Sequence, residues 1–250
     1  MKPTIPILTL FFLISCECKE SNTEMVEAIS SDPYLDSLLS RAIEDALVAE
    51  VSEEQNLHVI PDSIMKDTLN RKYVKGVTWL NKKHEPGWVS ASKKKDKKYI
   101  LPENVAVWIT IFPKVRDFCN DQIFESSDQL KLRLKQRLGL DYKVEYSYLA
   151  EVWVPISHLM RPCLDPDISK AMCLAEVSVK LDSDQSEWFF EQRSGLKKPN
   201  AVPFTGLGYT YDWGSADTEV GFTEFVFMAD GKEPILVDGL YTLEDYCTML

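Results

Sequence analysis

Hydrophobic and polar residues alternate most clearly in the middle of the chain, between Lys143 and Val154. β-branched and aromatic residues recur there at a period of two, a pattern that favours a strand with one buried face. They are Val144, Tyr146, Tyr148, Val152 and Val154. Because Pro155 lacks a backbone donor, the predicted strand ends at that residue.

Other stretches also have the composition of strands. Residues 105–112 form the most apolar stretch of the domain and predict a central buried strand. Residues 222–228 and 234–237 flank the turn formers at 229–232, so the pattern predicts a hairpin. Weaker patterns predict a short strand over 57–60 and strands or irregular segments over 73–80 and 87–92.

Helical periodicity is clearest after Asp32 and Pro33, which supply a helix cap and a proline at the first helical position. Apolar residues then recur at three- and four-residue spacing, so we expect an amphipathic helix over residues 33–49. Residues 129–140 alternate like a strand but also form a helical stripe. A cap at 126–128, high helix propensity and a glycine stop favour the helix.

Two shorter segments complete the secondary-structure prediction. The segment 64–73 is ambiguous, with a helix as the expectation, and Thr242–Asp245 begins a final helical turn that carries Cys247. Strands and helices are mixed without regular βαβ alternation, and no repeat is visible. The sequence therefore predicts one α+β domain over residues 33–250, with a mainly antiparallel sheet and packed helices.

The amino terminus has the pattern of a secretory signal peptide. Lys2 gives a positive start, and Ile5–Ile14 is a short, mostly apolar run. Ten such residues are too few to cross a hydrocarbon core, which takes about 20. We expect a signal peptide over residues 1–15 and an acidic flexible tether over residues 16–32.

The apolar run ends in Leu13-Ile14-Ser15-Cys16, which resembles the lipobox of bacterial lipoproteins. In that family the cysteine carries acyl chains such as palmitate and becomes the first residue of the mature chain. The resemblance implies lipidation of Cys16, a membrane anchor and a place in the cell envelope, with the domain in the periplasm or at the cell surface. An ordinary signal peptide cut nearby and a single transmembrane anchor are the alternatives.

Four cysteines belong to the predicted domain, and Cys18 lies in the tether. In an exported chain four cysteines usually form two disulfides, with three possible pairings. The favoured pairs are Cys163 with Cys173 and Cys119 with Cys247, because the first closes a short, turn-rich loop. Zinc is the competing interpretation, but the spacings of 44, 10 and 74 contain no C-x-x-C. We expect no metal site and no cofactor.

The chain is acidic, with 28 Lys and Arg against 39 Asp and Glu and a net charge of -11. This balance argues against a nucleic-acid partner. The segment 82–98, the lysine-rich segment, is an exception: it holds seven lysines against Glu85 and Asp96, a local charge of +5. A solvated hairpin tip, an anion-binding or membrane-facing surface, and neutralisation of the acidic first helix are the three interpretations.

The first candidate for chemistry is the loop that follows the central alternation. His158 could move protons, Arg161 could bind a carboxylate or phosphate, and Asp165 and Asp167 could act as a base or bind a cation. In the structural alternative, Asp-Pro-Asp is turn chemistry, Arg161 pairs with an aspartate, and the histidine caps a helix. The familiar nucleophile-elbow, P-loop, zinc-protease and dinucleotide motifs are missing from the sequence.

The second candidate is an aromatic segment between glycines, Tyr209-Thr-Tyr211-Asp212-Trp213. Aromatic rings interleaved with hydroxyls and a carboxylate suit a sugar or peptide surface. The structural alternative is a strand whose aromatic side chains fill the core, with the glycines allowing close backbone approach.

Two motifs together, Arg161-Pro-Cys-x-Asp-Pro-Asp-Ile and Gly208-Tyr-Thr-Tyr-Asp-Trp, resemble a pairing found in uncharacterised exported bacterial proteins. That resemblance implies no activity. The leading hypothesis is an envelope lipoprotein with a disulfide-braced domain that binds a ligand, or a protein or glycan partner. The alternative is a hydrolase that acts on envelope material through His158, Asp165 and Asp167.

Overall fold

The computed structural model describes residues 32–176 and 183–248. The predicted signal peptide, almost all of the tether, and Cys16 and Cys18 lie outside these residues. The described strands are β1 (Met65–Thr68), β2 (Arg71–Asn81), β3 (Lys98–Tyr99), β4 (Ala106–Ile111), β5 (Tyr146–Pro155), β6 (Leu159–Met160), β7 (Tyr209–Tyr211), β8 (Val220–Met228) and β9 (Ile235–Tyr241). The α-helices are α1 (Pro33–Asp45), α2 (Glu85–Ser92), α3 (Lys114–Asp121), α4 (Ser127–Arg137), α5 (Ser183–Gly195) and α6 (Leu243–Thr248).

The described strands form one sheet in the order β3-β9-β5-β2-β4-β8-β6, with β1 added to β2 and β7 added to β8. Each described pairing is antiparallel. The long strands β2 and β5 lie side by side in the middle and pair from Tyr73–Pro155 to Asn81–Tyr146. The predicted α+β class with a mainly antiparallel sheet is confirmed.

The sheet is curled, so that strands distant in its order share one core. Ile235 and Val237 from β9 pack in the same cluster as Phe225 and Phe227 from β8, although three strands separate β9 from β8. Trp88 of α2 also belongs to this cluster. Burial of these apolar side chains stabilises the curl, because each fully buried aliphatic or aromatic side chain contributes about 1.5–3 kcal/mol.

The opposite face of the sheet is covered by α3, α4 and α6. The helices contribute Phe118, Leu134 and Tyr246 to a second cluster, which includes Trp79 of β2 and Phe222 of β8. This cluster fixes α3 beside β8, and that placement creates one side of the cleft described below.

The predicted helices at 33–49 and 129–140 are both present. The carboxylate of Asp32 accepts hydrogen bonds from the first backbone N–H groups of α1, as the cap pattern predicted. That helix ends at Asp45, four residues earlier than expected. Ser126 caps α4 through the N–H of Gln129, and Gly139 has the positive φ of 66° typical of a helix stop.

The predicted hairpin over 222–228 and 234–237 is wrong in its pairing. Both strands exist, as β8 and β9, but β8 pairs with β4, β6 and β7, and β9 pairs with β3 and β5. Residues 229–234 connect them, and the curled sheet brings both strands into one core. Strand composition therefore predicted the elements, while the curled sheet decided their partners.

Three local expectations are also corrected. Residues 64–73 are not a helix but the β1–β2 hairpin, whose turn residues Leu69 and Asn70 have φ of 52° and 59°. Residues 87–92 belong to α2, so the lysine-rich segment surrounds a helix and is not a hairpin tip. Residues 57–60 form no strand, because their backbone bonds to loops and side chains instead.

Both predicted disulfides are present in the favoured pairing. Cys119 of α3 joins Cys247 of α6 across 128 positions of sequence, and Cys163 joins Cys173 across 10. Each bond lies behind one wall of the cleft.

Candidate ligand-binding cleft

A cleft of ≈ 460 Å³ opens between α3 and the segment 55–58, with β8 as its floor. This volume lies within the range of small-ligand sites, about 300–1,000 Å³. The lining residues are Gln55, Asn56, Leu57, His58, Lys114, Asp117, Phe118, Asp121, Gln122, Arg137, Tyr209, Val220, Gly221, Phe222 and Thr223.

The first wall, the helical wall, is one face of α3. Lys114, Asp117, Phe118 and Asp121 are spaced at i, i+3, i+4 and i+7, so their side chains share one face of the helix. Val115, one position past Lys114, turns away from the cleft and is buried in the second cluster. This helical spacing therefore places a cation, an aromatic ring and two carboxylates along the cleft.

Covalent and aromatic contacts hold the helical wall in place. Cys119 ties α3 to α6 through its disulfide with Cys247. The ring of Phe118 lies 5.8 Å from that of Phe124 and 5.9 Å from that of Phe222 on the floor, measured between ring centroids. Aromatic pairs at this separation contribute about 0.5–1.5 kcal/mol beyond their burial.

The second wall, the segment wall, is the irregular stretch 55–58. Its backbone is held at two consecutive residues: the Leu57 N–H donates to the Ala171 carbonyl at 2.7 Å, and the His58 N–H donates to Thr223 Oγ1 at 3.1 Å. The guanidinium of Arg161 donates to the His58 carbonyl at 2.8 Å. Tertiary hydrogen bonds thus replace the strand ladder that the sequence led us to expect here.

The Cys163–Cys173 disulfide braces the segment wall from behind. Both cysteines pack with Leu57 and Tyr209 in one small buried cluster. Gly208 has a φ of 77°, and a Cβ added to it would lie 2.8 Å from Cys173 Sγ and 2.8 Å from Leu57 Cδ1. Only glycine allows the backbone to approach the disulfide this closely.

Several charged groups of the cleft have no partner within the part of the chain that the structure describes. The side chains of Lys114, Asp117 and Asp121 make no ion pair or hydrogen bond among residues 32–176 and 183–248. Across the cleft, partial burial lowers the pKa of His58, and the positive charges of Lys114 and Arg161 lower it further. Lys114 and His58 both line the cleft, one from each wall.

Asp212, a predicted ligand-binding residue, is buried and bonded to two guanidinium groups. Arg133 donates to both of its carboxylate oxygens, at 2.7 and 2.8 Å, and Arg137 donates to Oδ2 at 2.9 Å. Arg137 lines the cleft. Asp212 therefore positions a residue of the cleft, because its bond to Arg137 holds that side chain in the lining.

The other members of the aromatic segment lie in different places. Tyr209 lines the cleft and donates to the Glu53 carbonyl at 3.1 Å, and burial raises its pKa. Tyr211 donates to Asp45 at 2.8 Å. Burial is the main cause that raises the pKa of Tyr211, and this hydrogen bond is the second. Trp213 is buried and donates to the Leu140 carbonyl at 3.0 Å. The structure does not assemble these rings into one exposed surface.

The predicted catalytic candidates are only partly brought together. His158 and Asp167 line an open depression of ≈ 520 Å³, which Asp165 does not line. Asp165 forms an ion pair with Lys170. Asp167 accepts hydrogen bonds from the side chain and the backbone of Ser169, which lower its pKa.

Arg161 lies inside the domain and does not line this depression. Its side chain is buried, and the guanidinium carbon lies 4.6 Å from the centroid of the Phe225 ring. Burial lowers its pKa to about 10, so the group remains a cation at neutral pH. Its hydrogen bond to the His58 carbonyl places it behind the segment wall of the cleft.

The lysine-rich segment lies on another part of the domain. The Lys82 N–H donates to the Glu145 carbonyl at 3.1 Å, and Lys97 Nζ donates to the Asp238 carbonyl at 2.7 Å. Among the described residues it forms no ion pair with α1, where Asp36 instead pairs with Lys143 at 2.5 Å. The third interpretation, neutralisation of the acidic first helix, finds no support among the described ion pairs.

The principal cleft residues were not identified from the sequence. They are His58, Lys114, Asp117, Asp121 and Arg137. A signal existed for the helical wall, because the i, i+3, i+7 spacing of one lysine and two aspartates predicts a polar face. The opposite wall gives no such signal, because 55–58 is irregular and held by distant residues.

The residues that the structure describes contain no group of three or more His, Cys, Asp or Glu side chains arranged to hold a metal ion. Within the same residues, we find no helix long and apolar enough to cross a membrane. Comparisons with protein families, with curated proteins and with solved structures found no match.

Proposed function

We propose that this chain is an exported lipoprotein, anchored through an acylated Cys16, whose domain binds a small ligand at the cell envelope. One observation carries the proposal: a cleft of ligand size lies between two walls that are each braced by a disulfide. A binding site needs such preorganisation, because ordering mobile walls on binding would oppose association.

Two features support export. The amino-terminal sequence has a short apolar run followed by a lipobox-like Leu13–Cys16. The two disulfides, Cys119–Cys247 and Cys163–Cys173, are the kind of crosslink that persists in oxidising compartments such as the periplasm. Together they favour a domain that folds outside the cytoplasm on a membrane tether.

The lining of the cleft supports a binding role. Phe118, Phe222 and Tyr209 supply aromatic surface, while Lys114 and Asp121 supply charges that the described part of the chain does not neutralise. Ligand sites typically combine such apolar area with a few polar groups that fix orientation.

The same contacts favour a binder over the hydrolase alternative. Asp165 is engaged by Lys170, and the Arg161 guanidinium is buried against a main-chain carbonyl. Of the three proposed catalytic residues, only His158 and Asp167 line the open depression. A hydrolase based on His158, Asp165 and Asp167 would need the three side chains to converge on one substrate.

Ligand retention tests the binding role. The full chain, mixed with a small-molecule extract of the envelope of the producing cells, should retain a ligand detectable by native mass spectrometry. Asn56→Trp, which fills the cleft from its rim, should abolish retention. Asn120→Trp is the matched control, because Asn120 is exposed on α3 and does not line the cleft. Equal retention by both variants would contradict the cleft as the site.

Fractionation tests the anchor. The wild-type chain should be recovered with membranes, and its amino-terminal peptide should start at Cys16 and carry acyl mass. Cys16→Ser should lose the acyl mass and leave the membrane fraction after signal removal. An unmodified Met1 in wild-type protein from its native cell would contradict this part of the proposal.

A further inference from the structure

Opposite charges are separated along the cleft. Lys114 begins α3 and Asp121 ends it, with Asp117 between them on the same face. At 1.5 Å of rise per residue, seven residues place Lys114 and Asp121 about 10 Å apart along the helix axis. The helical wall therefore has a positive end and a negative end.

The segment wall contributes a hydrogen-bonding group. His58 lines the cleft together with Lys114, and partial burial followed by the charge of Lys114 lowers the pKa of its imidazole. Arg161 lies behind this histidine, bonded to its main-chain carbonyl. Because its lowered pKa keeps His58 neutral at neutral pH, an anion in the cleft could pair with the Lys114 ammonium group and accept a hydrogen bond from the imidazole N–H.

The carboxylates of the negative end are not paired with cations of the described residues. Asp117 and Asp121 form no ion pair there. The other cationic side chain of the lining, Arg137, is bonded to Asp212, which it shares with Arg133. A ligand ammonium group could thus pair with these two carboxylates.

The amide side chains of the lining suit a peptide backbone. Gln55, Asn56 and Gln122 line the cleft and carry both donors and acceptors. Phe222 on the floor offers an apolar surface for small side chains. An extended peptide advances about 3.3–3.6 Å per residue, so about three residues span the distance between the charged ends.

We infer that the cleft binds a short zwitterionic peptide of about three residues, with its carboxylate at Lys114 and His58 and its ammonium group at Asp117 and Asp121. The inference rests on the proposed function and specifies its ligand. A longer internal segment of a protein would lack the two terminal charges that this arrangement pairs.

The test uses tri-alanine, N-acetyl-tri-alanine and tri-alanine amide, titrated into the full oxidised chain by isothermal calorimetry. Tri-alanine should bind, and blocking either terminus should weaken binding at least tenfold. That factor is the size expected from loss of one charge-assisted hydrogen bond. Equal affinity for the blocked and free peptides would overturn the inference.

Charge variants assign each terminus to its end of the cleft. Asp121→Asn should weaken tri-alanine about tenfold but leave the affinity for N-acetyl-tri-alanine unchanged. Lys114→Gln should weaken tri-alanine similarly but leave the affinity for the amide unchanged. The controls Asp217→Asn and Lys232→Gln change exposed residues outside the cleft and should have no effect. Thermal melting checks that all four variants are folded.

The outcome separates this inference from the proposed function. If tri-alanine does not bind at millimolar concentration while an envelope ligand is retained and lost in Asn56→Trp, the peptide inference is wrong and the binding role stands. If neither ligand binds, both fail. If tri-alanine binds but neither charge variant changes its affinity, the assignment of the peptide to this cleft is wrong.

Discussion

The two walls of the cleft reach rigidity by different means. The helical wall is regular, and its disulfide joins segments 128 positions apart, Cys119 in α3 and Cys247 in α6. The segment wall is irregular, and its disulfide closes a loop of only 10 positions between Cys163 and Cys173. Its position depends instead on hydrogen bonds from distant residues, including the one from Arg161.

Because of this difference, we expect the two walls to affect different properties: the helical wall the global stability, and the segment wall the local order. A crosslink that closes a long loop removes more entropy from the unfolded chain than one that closes a short loop. The helical wall should therefore contribute more to global stability. Damage to the segment wall should appear mainly as local mobility, because few backbone bonds hold the stretch 55–58.

The largest effect is expected from the long-range disulfide. Cys119→Ala with Cys247→Ala should lower the free energy of unfolding by about 5 kcal/mol, as the chain-entropy relation gives for a loop of this length. Urea denaturation at neutral pH, followed by tryptophan fluorescence, measures the change. A loss no larger than that of the Cys163–Cys173 pair would contradict the ranking of the two walls.

The stability of the domain should depend on pH through Glu224, a residue of β8, the strand that forms the floor of the cleft. Burial raises the pKa of this carboxyl from 4.5 to about 8, and it makes no ion pair among the described residues. The folded state then holds a proton that the unfolded state releases, so stability should fall by about 1.4 kcal/mol for each pH unit between roughly pH 5 and 8.

Glu224→Gln replaces the titrating carboxyl with an amide that cannot ionise, and it serves as the matched variant. Its urea midpoint should vary less between pH 5 and 8 than the wild-type midpoint, and it should exceed the wild type at pH 8. Parallel pH profiles for the two proteins would show that Glu224 is not the group responsible.

The short disulfide should matter less for global stability. Cys163→Ala with Cys173→Ala should cost about 3 kcal/mol by the same entropy relation. In addition, the Leu57 amide, which bonds to the Ala171 carbonyl, should exchange with deuterium faster than in the wild type. Unchanged exchange at Leu57 would mean that this disulfide does not brace the segment wall.

The smallest change in stability is expected for Arg161→Met. Methionine keeps the apolar volume and removes a buried charge. Because Nε and one terminal nitrogen of Arg161 have no hydrogen-bond partner among the described residues, the net cost should stay within about 1 kcal/mol. The His58 amide should nevertheless exchange faster, because its carbonyl loses the Arg161 bond.

Arg193→Met is the control for that exchange experiment. Arg193 is also partly buried and donates to main-chain carbonyls, those of Ala46 and Phe204, but it does not hold the stretch 55–58. Its replacement should leave the exchange of His58 unchanged. Faster exchange at His58 in both variants would indicate general loosening of the domain.

Local patterns made much of this fold predictable. Asp32 and Pro33 mark the start of α1, and the leucines of α4 outweigh their own strand-like alternation because caps and propensity act within one helical turn. The pairing of Cys163 with Cys173 was favoured because it closes a short loop. These features depend on residues that are close in sequence.

What the sequence alone determined is therefore the class of fold, the longest strands and the two principal helices. It favoured, without fixing, the disulfide pairing that the structure shows. Only the tertiary structure decided that β8 and β9 lie three strands apart, because the partner of a strand depends on which distant faces are buried together. It also decided that Arg161 supports a wall and Asp212 a neighbouring cation. The cleft exists because the curled sheet brings α3 opposite 55–58, a juxtaposition set by burial and not by any local pattern.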